Sequence, residues 1–211
     1  MPRIDDYKNA LALAREEWAK QDPQRAAILG GGAYQQGPDG TRLQLQFMDK
    51  AITVTWPEGQ VLGPDPAKEL SLQEQVLILH YLLKAPGAPP VGQWITFREI
   101  PSGEFYYSAF VQRAKEPLVK TFGHRPRLLA ELGVQQGGVK REEGDVCICF
   151  QAFPKIPVCL ILWAGDDEFP PDGNVLFDAS IARYLIAEDV AVLAGMVVYP
   201  LIGMASKNGE D

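Results

Sequence analysis

Apolar residues recur along this chain at two spacings, one helical and one alternating, and these mark out its elements. Tyr7, Leu11, Ala14 and Trp18 fall four, three and four residues apart behind Asp5 and Asp6. That spacing predicts a capped helix over about 6–21, ending near Pro23. Leu43, Leu45 and Phe47 alternate with polar residues, and so do Ile52, Val54 and Trp56 after the Asp49-Lys50 break. The pattern is that of a β-hairpin near 43–56 with one buried face, closed by Pro57. Ser71 and Glu74 form a capping box ahead of Val76-Leu-Ile-Leu-His-Tyr-Leu-Leu83. A helix near 71–85, apolar nearly all round, should follow, with His80 as a core or boundary histidine and Pro86 to Pro90 as the stop.

Further along, Trp94–Phe97 reads as a short extended piece. A helical region near 103–122 carries Phe105, Tyr106, Ala109 and Phe110, is kinked or restarted at Pro117, and ends at Gly123. A small helix around Leu128–Leu132 comes next. Two continuous apolar runs, near 145–151 and 157–163, read as central strands on either side of Phe153-Pro-Lys-Ile-Pro157. Val175–Phe177 is a short extended segment, and a helical pattern fills 179–196. Gly30-Gly31-Gly32 through Gly40 reads as loop and turn, with no Lys-Ser/Thr after it to make a phosphate loop. Strands and helices without regular β-α-β alternation predict an α+β fold: a single domain over 1–211, with a mostly antiparallel sheet and a short disordered tail near 205–211.

Composition refines this picture. At 46% hydrophobic and 22% charged residues, the chain can form a core without metal or disulfide staples. Its net charge of −7 argues against nucleic-acid binding, which needs a basic face. The charge is uneven: 15 Lys/Arg face 14 Asp/Glu up to residue 127, and 5 face 13 beyond it. The N-terminus lacks the apolar stretch of an export signal, so a cytoplasmic protein is expected. The uncharged stretch Val190–Ser206 is short for a bilayer and contains Pro200, so a buried core helix, with no membrane span, is the expectation.

Three cysteines lie in the two strand-like runs. Cys147 and Cys149 share a strand face, and with Cys159 they are able to form a three-thiolate site. The preferred reading is that all three are reduced and pack as small hydrophobes, with no metal. Segment 97–127 concentrates Arg98, Arg113, Lys115, Lys120, Arg125 and Arg127 among Phe105, Tyr106, Tyr107, Phe110 and Phe122. Tyr106 and Arg113, seven apart, are expected on one helix face, with Arg98 aimed back at it from the Pro101-Ser102-Gly103 turn. Such a face suits an anionic ligand with a flat apolar body. His124, in a loop, offers a free ring nitrogen to it. Arg98, Tyr106, Arg113 and His124 are therefore the candidate cofactor-binding residues. If Arg98 is structural instead, Glu99, Asp145 and Asp178 are its expected partners. Asp166-Asp167-Glu168 with Asp172 form an acidic loop whose spacing does not match a calcium-binding EF-hand.

Phe97-Arg-Glu-Ile-Pro-Ser-Gly103, Glu116-Pro-Leu118, Gly144-Asp145, Phe153-Pro-Lys-Ile-Pro157, Glu168-Phe-Pro-Pro171, Leu176-Phe-Asp178 and Glu188-Asp189 resemble the motifs of domain-of-unknown-function family 3786. The resemblance covers most of the chain, from the first helix to about Leu193. It implies an origin in anaerobic bacteria or archaea and proximity to corrinoid or one-carbon chemistry. Some members of the family carry an added iron–sulfur module, whose four-cysteine signature this chain lacks. The resulting expectation is a non-catalytic accessory protein of anaerobic metabolism that binds a corrinoid or another tetrapyrrole-like anionic ligand, with a corrinoid or iron–sulfur protein as partner. Two alternatives stand beside it. One is an enzyme on a small carboxylated or phosphorylated substrate, with Asp145 or Asp178 as base and Arg98 as anion clamp. The other is a protein-interaction module built on the acidic loop.

Overall fold

The computed structural model of the chain describes residues 4–38 and 40–207. They fall into two compact units. The first holds the described residues up to Pro89 with Phe153–Lys155 and Arg183–Leu185; the second holds Pro90–Ala152, Ile156–Ala182 and the described residues from Ile186 onward.

In the first unit the expected helical stripe is realised. Helix α1, Ile4–Trp18, buries Leu11, Ala14 and Trp18, and the Trp18 indole N–H donates to the Thr55 carbonyl at 2.9 Å. Pro23 starts a second helix rather than only ending the first. In α2, Pro23–Gly30, Asp22 caps the N-terminus by accepting from the backbone N–H groups of Gln24 and Arg25, and the proline occupies the first turn, where no N–H is needed. Gly31 ends α2 at φ +72, and a Cβ there would lie 2.9 Å from the Pro154 Cβ. The glycine run is thus partly helix end and cap, not simply loop.

An antiparallel four-stranded sheet follows in sequence order: β1 Ala33–Gly37, β2 Gly40–Phe47, β3 Lys50–Trp56 and β4 Val61–Leu62. Leu43 pairs with Val54 and Leu45 with Ile52. These four and Phe47 are all buried, which sends Arg42, Gln44 and Gln46 to the outer face. Burial of each large apolar side chain in this row stabilises the fold by about 1.5–3 kcal/mol. Helix α3, Leu72–Lys84, has the anticipated capping box between Ser71 and Glu74. Glu74 also bonds Lys50 at 2.6 Å, tying α3 to β3. Tyr81 on α3 stacks on Phe153 and Tyr184, with centroids 4.2 and 5.4 Å away, and donates to the Gly30 carbonyl at 2.8 Å.

The second unit contains a sheet ordered β5-β9-β8-β7-β6, comprising β5 Trp94–Ile95, β6 Val139–Arg141, β7 Val146–Phe153, β8 Ile156–Trp163 and β9 Asp172–Asp178. The strands expected near 145–151 and 157–163 are β7 and β8, and β8 is central. Alternation divides β8 between two faces: Val158, Leu160 and Leu162 on one, Cys159 and Ile161 on the other. Phe177 meets Phe97 and Phe110 edge-on, and those two rings stack at 4.4 Å.

The region expected as one helix near 103–122 is α4 Gly103–Phe110, a π-helical stretch Val111–Lys115, and α5 Glu116–Phe122. Pro117 explains the interruption. It has no N–H to give the Arg113 carbonyl, and its ring would crowd that turn, so the backbone widens and the Glu116 N–H reaches Val111 instead. Helices α6, Pro126–Gln135, and α7, Ala187–Lys207, complete the unit. A 3₁₀ turn over Ala179–Arg183 replaces the first part of the helix expected near 179–196. The helix itself runs on through Pro200 to Lys207, so residues 205–207 of the expected tail are helical and 208–211 lie outside the described residues. By length and composition α7 is apolar enough to cross a membrane, and 56% of its apolar window is buried.

Candidate functional site

Each candidate from segment 97–127 has a defined place. Arg98 lies in a 3₁₀ turn, Phe97–Glu99, where an extended end had been expected at Phe97. Its guanidinium sits 3.8 Å from the centre of the Tyr107 ring, and Nε is 3.2 Å from a Glu104 carboxylate oxygen. None of the three anticipated acids is its partner. Glu99 is turned back to cap Thr96, accepting from that residue's N–H and hydroxyl. The Tyr106 hydroxyl donates to Glu188 at 3.4 Å, and the Glu188 charge, followed by burial, raises the pKa of the phenol. Arg113 lies in the π-helical stretch, so the seven-residue spacing from Tyr106 no longer carries the helical phase that put them on one face. Its carbonyl is 3.3 Å from the position of a Cβ on Gly195, the close approach of α7 to this turn. His124 is exposed beyond the end of α5. Among the described residues no hydrogen bond, ion pair or ring contact joins any of these four to another.

The two acids considered as bases are held by backbone. Asp145 accepts from the Ala164 N–H at 2.7 Å. Asp178, 1% exposed, accepts from the N–H groups of Val91, Gly92 and Ser180 at 3.0, 2.7 and 2.9 Å. Burial pushes the Asp178 carboxyl up, but its hydrogen bonds with Ser180, Val91 and Gly92 outweigh burial and hold it below the usual carboxylate range. In the acidic loop Asp166 accepts from the Glu168 and Phe169 N–H groups, which lowers its pKa, and Asp172 pairs with Lys115 at 3.1 Å.

A different set of residues lines a groove in the first unit. Gln75, in the first turn of α3, is 2% exposed. Its amide N–H donates to the Leu70 carbonyl at 2.9 Å and to Glu69 at 3.3 Å. Its carbonyl oxygen accepts from Arg15 Nη2 at 3.1 Å, and Arg15 Nε donates to the Gly59 carbonyl at 3.2 Å. Gly59, at φ +65, allows this approach, since a Cβ there would be 3.0 Å from Arg15 Cγ. The rim is the segment from Gly63 to Glu69, stiffened by Pro64 and Pro66 and by an Asp65 side chain that accepts from the Ala67 N–H. Arg42, from the outer face of β2, and Lys68 join Arg15 in lining a cavity of about 640 Å³, which the carboxylates of Asp65 and Glu69 also line. No carboxylate pairs with Arg42 or Lys68 among the described residues. These residues come from α1, β2, the rim and α3, and sequence reasoning did not assemble them. The alternation of β2 already sent Arg42 outward, but nothing local shows what it faces.

The three cysteines, by contrast, do come together. Their sulfurs lie within 4.8 Å of one another. Cys149 and Cys159 form a disulfide and Cys147 is free, so the expectation of three reduced thiols is corrected. Adjacent antiparallel strands bring the two Cα atoms to 4.0 Å, close enough for the sulfurs to bond. Burial, then the Glu143 charge, pushes the Cys147 thiol up to about 11, with Arg141 acting in the opposite sense.

The sequence model of the family described as Domain of unknown function (DUF3786) matches residues 22–199. The chain belongs to that family. No curated protein and no solved structure matches it. In this DUF3786 chain, several motif residues that carried the resemblance shape backbone. Glu99 caps a turn; Gly103 leaves only 2.2 Å between a would-be Cβ and the Phe97 carbonyl oxygen; Asp145 and Asp178 bind amides.

Proposed function

We propose that this DUF3786 chain is a non-catalytic binding protein for a small anionic ligand, held in the groove bounded by α1, β2, the 63–69 rim and α3. The observation that carries the reading is a cavity of about 640 Å³ around the fixed amide of Gln75, in which the cations Arg15, Arg42 and Lys68 stand beside the carboxylates of Asp65 and Glu69. That volume is in the range of about 300–1,000 Å³ typical of small-molecule sites. Arg15 is pre-aimed by two hydrogen bonds, while Arg42 and Lys68 have charge to spare for a carboxylate or phosphate. Commitment of the buried Asp178 to three backbone amides favours binding over catalysis.

A corrinoid or other tetrapyrrole-like ligand, in an anaerobe's cytoplasm and with a corrinoid or iron–sulfur protein as partner, is the narrower form of this proposal. It draws on the family resemblance alone. In the same reading α7 is a core helix.

Calorimetry of the wild type and of an Arg42→Glu, Lys68→Glu double variant with inorganic phosphate, citrate and cobalamin tests the proposal. Both substituted side chains are exposed, so the fold should persist. At least one anion should bind, and the double variant should bind it at least tenfold more weakly, the loss of about one charge-assisted hydrogen bond. Absence of heat with all three probes would remove the proposal.

A further inference from the structure

The chemistry of the second unit's sheet is concentrated at Cys147, Cys149 and Cys159. The first two are alternate residues of β7 and the third belongs to β8, so alternation and strand pairing place three sulfurs on one face. Trp94 and Leu176 pack against them. Arg141 pairs with Cys147 across β6 and β7, and its guanidinium lies 5.3 Å from the Trp94 ring. Cys147 and Cys159 are buried, while Cys149 is half-buried and opens the cluster to solvent.

From this geometry we infer that, once the Cys149–Cys159 disulfide is reduced, the three sulfurs form a site for one thiophilic divalent cation of the zinc type. Zinc–sulfur bonds of about 2.3 Å at tetrahedral angles place sulfurs about 3.8 Å apart. Sulfurs already within 4.8 Å of one another are close to that spacing once the bonded pair separates. Three thiolates and a divalent ion leave one net negative charge, on which Arg141 and Glu143 act in opposite senses. The fourth coordination position, on the Cys149 side, is left to water.

The steps balance. A dithiol gives two electrons and two protons to the disulfide and leaves as its own disulfide, producing thiols at Cys149 and Cys159. The cation then displaces three thiol protons and forms three metal–sulfur bonds. The disulfide form is consequently the metal-free state of the same site, and oxidation competes with metal binding.

The test is a cadmium titration of the full chain, reduced with a dithiol that is then removed by gel filtration without oxygen, alongside the disulfide form. Thiol counting and circular dichroism confirm three free thiols and an intact fold. The reduced protein should develop a sulfur-to-cadmium charge-transfer absorption that saturates at one equivalent and is displaced by zinc. The disulfide form should show none. Cys147→Ser should weaken binding at least tenfold, and comparison of the two redox forms of the wild type gives the answer if that variant fails to fold. No absorption at one equivalent in the folded, reduced protein, or equal absorption in the disulfide form, would overturn the inference.

Discussion

Replacement of Asp178 by alanine tests whether this buried carboxylate is a structural clamp or a spare base. It accepts three backbone N–H groups, from Val91, Gly92 and Ser180, and so fixes the entry into β5 against the end of β9. The Ser180 amide is buried, and its loss of a partner costs about 1–3 kcal/mol. Val91 and Gly92 are exposed, so water can replace the carboxylate there and each loss is nearer 0.5–1 kcal/mol. The sum is about 2–5 kcal/mol, equivalent to a fall in Tm of roughly 6–15 °C for a chain of this size. The effect must also depend on pH. The carboxyl pKa is depressed in the folded state, so its contribution is complete above the unfolded value of about 3.9 and disappears as pH falls through the lower folded value. Urea denaturation of wild type and Asp178→Ala from pH 7 to pH 3 reads both quantities. A variant as stable as wild type at pH 7, or a difference that grows on acidification, would refute the clamp.

Glu74→Gln removes the charge shared by Lys50 and the α3 capping box, and should cost about 1–2 kcal/mol at pH 7. Burial raises the Glu74 carboxyl, but Lys50 and Ser71 lower it further, so the deficit should shrink below pH 4 in thermal melts. Arg98→Ala should change stability by no more than about 1 kcal/mol, because its pair with Glu104 is solvent-exposed and its stacking on Tyr107 is a surface contact. Chemical denaturation checks this, and a larger loss would show a buried role. Gly103→Ala should cost more than about 3 kcal/mol or prevent folding, since its Cβ would meet a backbone oxygen at 2.2 Å; circular dichroism and the yield of soluble protein report it.

What the sequence disclosed follows the range of the interactions. The β2–β3 hairpin, the α3 cap and the central strands were legible because alternation and a three-residue capping signal are local. Helix α2 was hidden by its glycines, two of which serve its end and cap, and Gly31 is demanded by a contact with Pro154 that no window around it contains. The π-helical stretch at Val111–Lys115 was half visible: Pro117 announced an irregularity but not that the helix would continue through it. For the site, strand parity correctly placed Cys147 and Cys149 on one face, whereas the pairing of Cys159 with Cys149 depends on β7–β8 register. The groove was illegible, because Arg15, Arg42, Lys68 and Gln75 meet only after four elements have packed.

Backbone amide shifts of the isotopically labelled protein, followed during titration with inorganic phosphate, locate the anion site directly. The account predicts saturable shifts at Gly63, Asp65, Ala67, Lys68, Glu69 and Gln75, with the Arg15 side-chain Nε–H moving alongside them. Shifts confined to segment 97–127, or no saturable shift at any residue, would contradict it.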